Sequence, residues 1–88
     1  MYEAQVEVRN VPGIHARPAA LLVQAASRYK SEVFLCAGEL TVNAKSIMGV
    51  MMLAAETGTI LSIRAEGPDE RDAVDGLAAI VESGFQES

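Results

Sequence analysis

The sequence predicts an α+β fold, an open-faced β-sandwich in the order βαββαβα, with a four-stranded, mostly antiparallel sheet and its helices on one face. Three observations predict it. Apolar residues alternate at period two in short segments, recur with helical spacing in others, and are separated by turns rich in Gly and Pro. A chain of 88 residues has room for one domain, expected over residues 1–88. Half of the residues are hydrophobic, yet aromatics are only 5 % and tryptophan is absent. The core must therefore be one aliphatic layer of Val, Ile, Leu and Ala between sheet and helices. Cys36 is the single cysteine, so no disulfide within the chain supports it.

The elements follow in order. Tyr2, Ala4, Val6 and Val8 alternate with Glu3, Gln5, Glu7 and Arg9, a strand with one buried face. Asn10-Val11-Pro12-Gly13 ends it in a turn. From Ala16 to about Tyr29 the period changes, and Ala19, Leu22, Val23 and Ala26 form one helical stripe. Pro18 falls in the first turn, where a missing N–H costs nothing. Val33 to Ala37 reads as a second strand, joined through Gly38-Glu39 to a third, Leu40 to Asn43. Ser46 suits the N-cap of a short helix from Ile47 to about Leu53, whose buried stripe is expected to be Ile47, Val50 and Leu53. Thr57-Gly58-Thr59 leads into a fourth strand, Ile60 to Glu66. Gly67-Pro68 breaks it and Asp69 is expected to cap a last helix, with Val74, Leu77, Ala78 and Val81 buried.

Composition excludes several classes. A mean hydropathy of +0.20 is too apolar for a disordered chain. No apolar run approaches the ~18 residues of a membrane span, and the opening MYEAQVEV lacks the form of a secretion signal. No membrane insertion is expected, and a reduced, cytoplasmic location is. The net charge of −5 argues against nucleic acid as a partner. That charge is uneven: residues 1–45 hold five basic and four acidic side chains, residues 46–88 two basic and eight acidic. The basic half also holds the only histidine, His15.

His15 lies between a Pro-Gly turn and a helix start. Helix N-termini carry unpaired N–H groups and roughly half a positive charge, which together attract phosphate. Arg17 adds a fixed cation, and the amides of Ala16 and Arg17 are available donors. An imidazole at that address is a nucleophile surrounded by anion stabilisers. On the residues alone two readings stand: a site for a phosphoryl group carried on histidine, and a histidine that merely caps a helix. A lone histidine forms neither a hydrolytic triad nor a metal centre, and no cofactor is expected. Met48, Met51 and Met52 cannot all be inside a short helix, and exposed thioethers suggest an adaptable docking surface. For Met52 a gap-filling core role stands equally.

Gly13-Ile14-His15-Ala16-Arg17-Pro18-Ala19 resembles the active-site motif of the histidine-containing phosphocarrier (HPr) family of the phosphoenolpyruvate-dependent sugar phosphotransferase system. Lys45-Ser46-Ile47-Met48-Gly49-Val50-Met51 resembles that family's regulatory motif. Element order, length and the spacing of the two motifs agree, so the resemblance spans the chain. It implies that the protein is a stoichiometric carrier and not an enzyme. His15 would take a phosphoryl group from phosphorylated enzyme I on its Nδ1 and hand it to an enzyme IIA domain. Arg17 would stabilise the transferring charge, and the amides of Ala16 and Arg17 would hold the phosphate. Ser46 would be a regulatory phosphorylation site, which implies an HPr serine kinase/phosphorylase and a transcriptional regulator as further partners. Ala20, Lys45, Ile47, Met48, Met51 and Met52 would form the partner-binding face, best served by a monomer. The alternative is a regulatory HPr paralogue in nitrogen or carbon control, not coupled to sugar transport. A regulatory relative lacking the histidine is not matched, since His15 is present. An acylphosphatase-like hydrolase shares the length and element order but would need a phosphate loop with Arg and a water-orienting Asn, and that motif is missing.

Overall fold

The structure, a computed structural model, describes residues 1–86. Its elements are β1 (Tyr2–Glu7), α1 (Ala16–Ala26), β2 (Glu32–Ala37), β3 (Leu40–Asn43), α2 (Ile47–Met52), β4 (Ile60–Glu66) and α3 (Glu70–Glu82), followed by a 3-10 turn at Gly84–Gln86. The four strands form one sheet in the order β1-β4-β2-β3. Every pairing between these strands is antiparallel, where the sequence had suggested a mostly antiparallel sheet.

Alternation in the strands separates the two faces. In β4, Leu61, Ile63 and Ala65 are buried while Ser62 and Arg64 are half-buried and Ile60 and Glu66 exposed. Register carries the apolar set across the sheet: Val6 pairs with Leu61, Ala4 and Leu35 with Ile63, and Val42 with Leu35. One-residue slips would move that whole set into water. The helices cover this apolar face. Leu22 and Ala19 of α1, Val50 of α2 and Val74, Leu77 and Val81 of α3 are fully buried against it in a single cluster. Each such Leu or Val stabilises the fold by roughly 1.5–3 kcal/mol relative to exposure.

Several expectations are corrected. The first helix ends at Ala26 and not near Tyr29. Ser27 Oγ donates back to the Val23 carbonyl, and the amides of Arg28 and Tyr29 bond only three residues back, to Ala25 and Ala26, which closes the last turn. Ile47 is 44 % exposed and leaves the expected buried stripe of α2. Steps of three residues drift round a helix, so Ile47 and Leu53 lie about 120° apart and one short helix cannot bury both beside Val50. Asp69 precedes α3 but makes no side-chain capping bond. Its carboxylate instead accepts from the backbone amides of Lys30 and Ser31, both at 2.9 Å, and from the Ser31 hydroxyl. At the C-terminal end, where the sequence offered no reading, Phe85 is buried beside α3; Glu87 and Ser88 lie outside the described residues.

Candidate functional site

His15 is the N-cap residue of α1, with extended backbone (φ −100°, ψ −164°), and its side chain makes no capping hydrogen bond. The imidazole, at the rim of the helix and half-exposed, makes no hydrogen bond among the described residues. The carbonyl of His15 accepts the Ala19 amide at 2.9 Å, which opens the helix ladder. The amides of Ala16 and Arg17 have no acceptor among the described residues, as the first turn of a helix requires. No acidic residue occupies that turn. The Arg17 side chain is exposed and makes no ion pair among the described residues. Two open amides and a helix dipole therefore meet where the histidine stands, with an exposed arginine in the same first turn, a combination suited to a phosphoryl group.

The turn that presents His15 is built from outside the helix. Gly13 has φ +119°, a conformation that favours glycine. A Cβ there would lie 2.4 Å from the Ala55 carbonyl oxygen, so side chains are excluded on packing grounds as well. The Ile14 amide donates to that same carbonyl at 2.8 Å, and Gly13 forms a bridge with Glu56. The turn is thus sewn to the segment that follows α2, so the C-terminal end of α2 lies on the His15 side. Ser46 stands at the other end of that helix, about 9 Å away at 1.5 Å per residue.

Ser46 is the N-cap of α2, and its Oγ accepts the Gly49 amide at 3.1 Å. Lys45 is half-buried and its ammonium donates to the Tyr29 carbonyl at 2.8 Å, so that cation ties α2 to the chain after α1. Met48, Met52, Ile47 and Met51 are 74 %, 65 %, 44 % and 41 % exposed, and they line one shallow apolar depression. Met52 is outside the core. Ala20 is half-buried on α1, which packs against α2. The structure thus gathers the methionines and Ile47 on one face and sets His15 and Ser46 at opposite ends of it. Among the described residues no group of three His, Cys, Asp or Glu side chains is arranged for a metal.

Sequence reasoning had passed over Asn10 and Thr57, which it treated as ordinary turn residues. Asn10 is buried beneath the turn, and its Nδ2 donates to the Gly13 carbonyl at 2.7 Å. Thr57 Oγ1 donates to the Asn10 carbonyl at 2.6 Å. An Asn three residues before a turn Gly is the only local signal that could have marked this.

Comparison with known proteins places the chain in a family. The family model described as the PTS HPr component phosphorylation site matches residues 2–83. The HPr-like protein Crh of Bacillus subtilis is 52 % identical over 93 % of this chain and 96 % of its own. Phosphocarrier protein HPr of Treponema pallidum is 50 % identical over 93 % of each chain. Among solved structures, HPr-C-His from Thermoanaerobacter tengcongensis superposes with a TM-score of 0.95 at 44 % identity, covering 100 % of this chain and 99 % of that one. An HPr dimer from the same organism superposes at 0.79 with 45 % identity over 99 % and 100 % of the two chains. Proteins of this kind are non-enzymatic carriers of a phosphoryl group. With its fold, its histidine-bearing helix start and its likeness along nearly the whole length, the chain belongs to the HPr family of phosphotransferase-system phosphocarriers.

Proposed function

We propose that His15 accepts a phosphoryl group from phosphorylated enzyme I, itself charged by phosphoenolpyruvate, and passes it to an enzyme IIA domain during sugar uptake. One observation carries this reading: among the described residues the His15 imidazole caps nothing, and the amides of Ala16 and Arg17 at the same helix start have no acceptor. As the bond to enzyme I breaks, a new N–P bond forms at the imidazole Nδ1, and the same exchange in reverse delivers the group to the next histidine. Phosphoryl transfer asks mainly for positioning and charge stabilisation. Here the amides of Ala16 and Arg17 hold the phosphate oxygens, and the Arg17 guanidinium offsets the charge that builds on them.

The exposed face of Ile47, Met48, Met51 and Met52, with Ala20 and Lys45 beside it, is the docking surface in this reading. Thioether side chains repack at low cost, which suits a face that meets enzyme I and enzyme IIA in turn. Ser46 is a regulatory site for a serine kinase/phosphorylase. A phosphate there would add a charge of about −1.5 to −2 at the rim of that face while still resting on a helix N-terminus. The fold would tolerate it and an acidic partner would not. The working form is read as a cytoplasmic monomer with one face open to successive partners. Sedimentation at working concentration tests that state, since a related HPr has been solved as a dimer.

A second reading, a regulatory paralogue uncoupled from sugar uptake, is favoured by the 52 % identity to an HPr-like protein Crh. The two separate on one experiment. Incubation with phosphoenolpyruvate and enzyme I should give acid-labile, alkali-stable phosphate on the wild type and none on His15→Ala, with onward loss to an enzyme IIA domain. A wild type that takes label but never releases it to any enzyme IIA domain favours the paralogue. A wild type that takes no label contradicts the carrier reading.

A further inference from the structure

We propose that Asn10 is a positioning residue for phosphoryl acceptance at His15, acting through the Gly13 carbonyl and itself held by Thr57. The inference rests on the carrier reading above and adds to it the group that orients the acceptor. His15 has no side-chain capping bond, so its own helix does not fix where the imidazole points. The backbone of the turn must do so. The Gly13 carbonyl is the centre of that turn: it accepts the His15 amide at 3.1 Å and the Asn10 Nδ2 at 2.7 Å. The Asn10 carbonyl in turn accepts the Thr57 hydroxyl at 2.6 Å. Thr57 sits in a loop clamped to the strand end, since Val8 donates to the Thr59 carbonyl at 2.9 Å and accepts from Gly58 at 2.7 Å. A chain of contacts therefore runs from a fixed loop, through Asn10 and Gly13, to the peptide that carries the imidazole.

Two features mark Asn10 as more than a turn former. It is only 9 % exposed, an uncommon place for an amide side chain. Its Oδ1 is also buried without a partner among the described residues, so the position keeps an acceptor it does not use. The donor half of the amide is what the site retains. Aspartate has nearly the same shape but no donor, and would set a carboxylate oxygen against the Gly13 carbonyl.

The test uses Asn10→Asp and the milder Thr57→Val, which keeps shape and removes only the hydroxyl. Enzyme I and phosphoenolpyruvate supply the phosphoryl group, and the rate is measured against carrier concentration. We expect kcat to fall about tenfold for Asn10→Asp and about threefold for Thr57→Val, with KM within about twofold of wild type, because docking residues are untouched. The His15 imidazole resonances should shift in both variants while those of α3 stay in place. Label on the wild type with unchanged kcat in both variants, or unmoved imidazole resonances, overturns this inference alone. A fall in rate that only follows a fall in folded fraction, measured by circular dichroism at the assay temperature, also overturns it. No label on the wild type overturns the carrier reading and this inference with it.

Discussion

The starts of α1 and α3 present the same physics and opposite solutions. At α3 the protein supplies its own anions. Glu70 and Asp72 occupy the first turn; the Glu70 carboxylate accepts the Gly67 amide at 3.1 Å and meets the amino terminus at 3.2 Å. Asp69 is consumed by the amides of Lys30 and Ser31 and by the Ser31 hydroxyl, and Gly67 packs so closely on Ser31 that a Cβ would clash. At α1 no acid stands in the first turn, and the exposed Arg17 there makes no ion pair among the described residues. One helix start carries its own acids, and their carboxylates are tied into the fold. The other is left with its donors open, ready for an anion from outside. The difference separates stability from function within a single chain.

Substitutions that fill or empty these two starts should act on transfer in a definite order. Removing the cation at α1, in Arg17→Ala, should lower phosphoryl transfer from enzyme I by about a hundredfold, the usual scale for one lost charge-stabilising group. Transfer rates at saturating carrier measure it. Placing an anion at the open start, in Ala16→Asp, should slow transfer about tenfold, because the carboxylate competes for the dipole and repels the incoming phosphate. The same change should leave the melting temperature unchanged or slightly raised, since an acid is favourable in a first turn. At the intermediate helix, Ser46→Asp should slow acceptance from enzyme I severalfold through charge repulsion at the docking face. Ser46→Ala should leave the rate alone and cost about 1 kcal/mol in stability through the lost cap, read by denaturant unfolding.

Filling or emptying the α3 start should not touch transfer at all. The Ser31 hydroxyl first, then the Lys30 amide, holds the Asp69 carboxyl down from its ordinary 3.8 to about 2. A folded-state value below the unfolded one stabilises the fold at higher pH. That contribution is complete above about 4 and is lost as pH falls toward 2. The Gly67 amide and the amino terminus lower Glu70 in the same direction. Asp69→Asn should therefore melt earlier at pH 7, and its melting temperature should depend less on pH between about 4 and 2 than that of the wild type. Its rate with enzyme I should be unchanged; a slowed rate would show that the two helix starts are coupled.

The contrast between the two starts was half legible in the sequence. Element order, Ser46 as a cap, and the address of His15 all follow from local pattern, because period, turn residues and caps are local properties. What was missed was settled by contacts between distant segments. Asp69 looked like a cap from its place before the helix, yet its partners lie 38 and 39 residues away. The bond from the Lys45 ammonium to the Tyr29 carbonyl likewise joins segments 16 residues apart. Phe85 belongs to the core by tertiary packing that no local period announces. Asn10 reads as a turn residue unless Gly13 and Thr57 are seen beside it.

The central claim, that the α1 start is kept open for a phosphoryl group on His15, is tested most directly by amide resonances. Proton–nitrogen spectra of the wild type should be recorded before and after phosphorylation by enzyme I and phosphoenolpyruvate. The amides of Ala16 and Arg17 should shift strongly on phosphorylation, while those of Glu70 to Asp72 at the acid-bearing start of α3 should stay in place. Full phosphorylation of His15 with unmoved Ala16 and Arg17 amides would contradict the account.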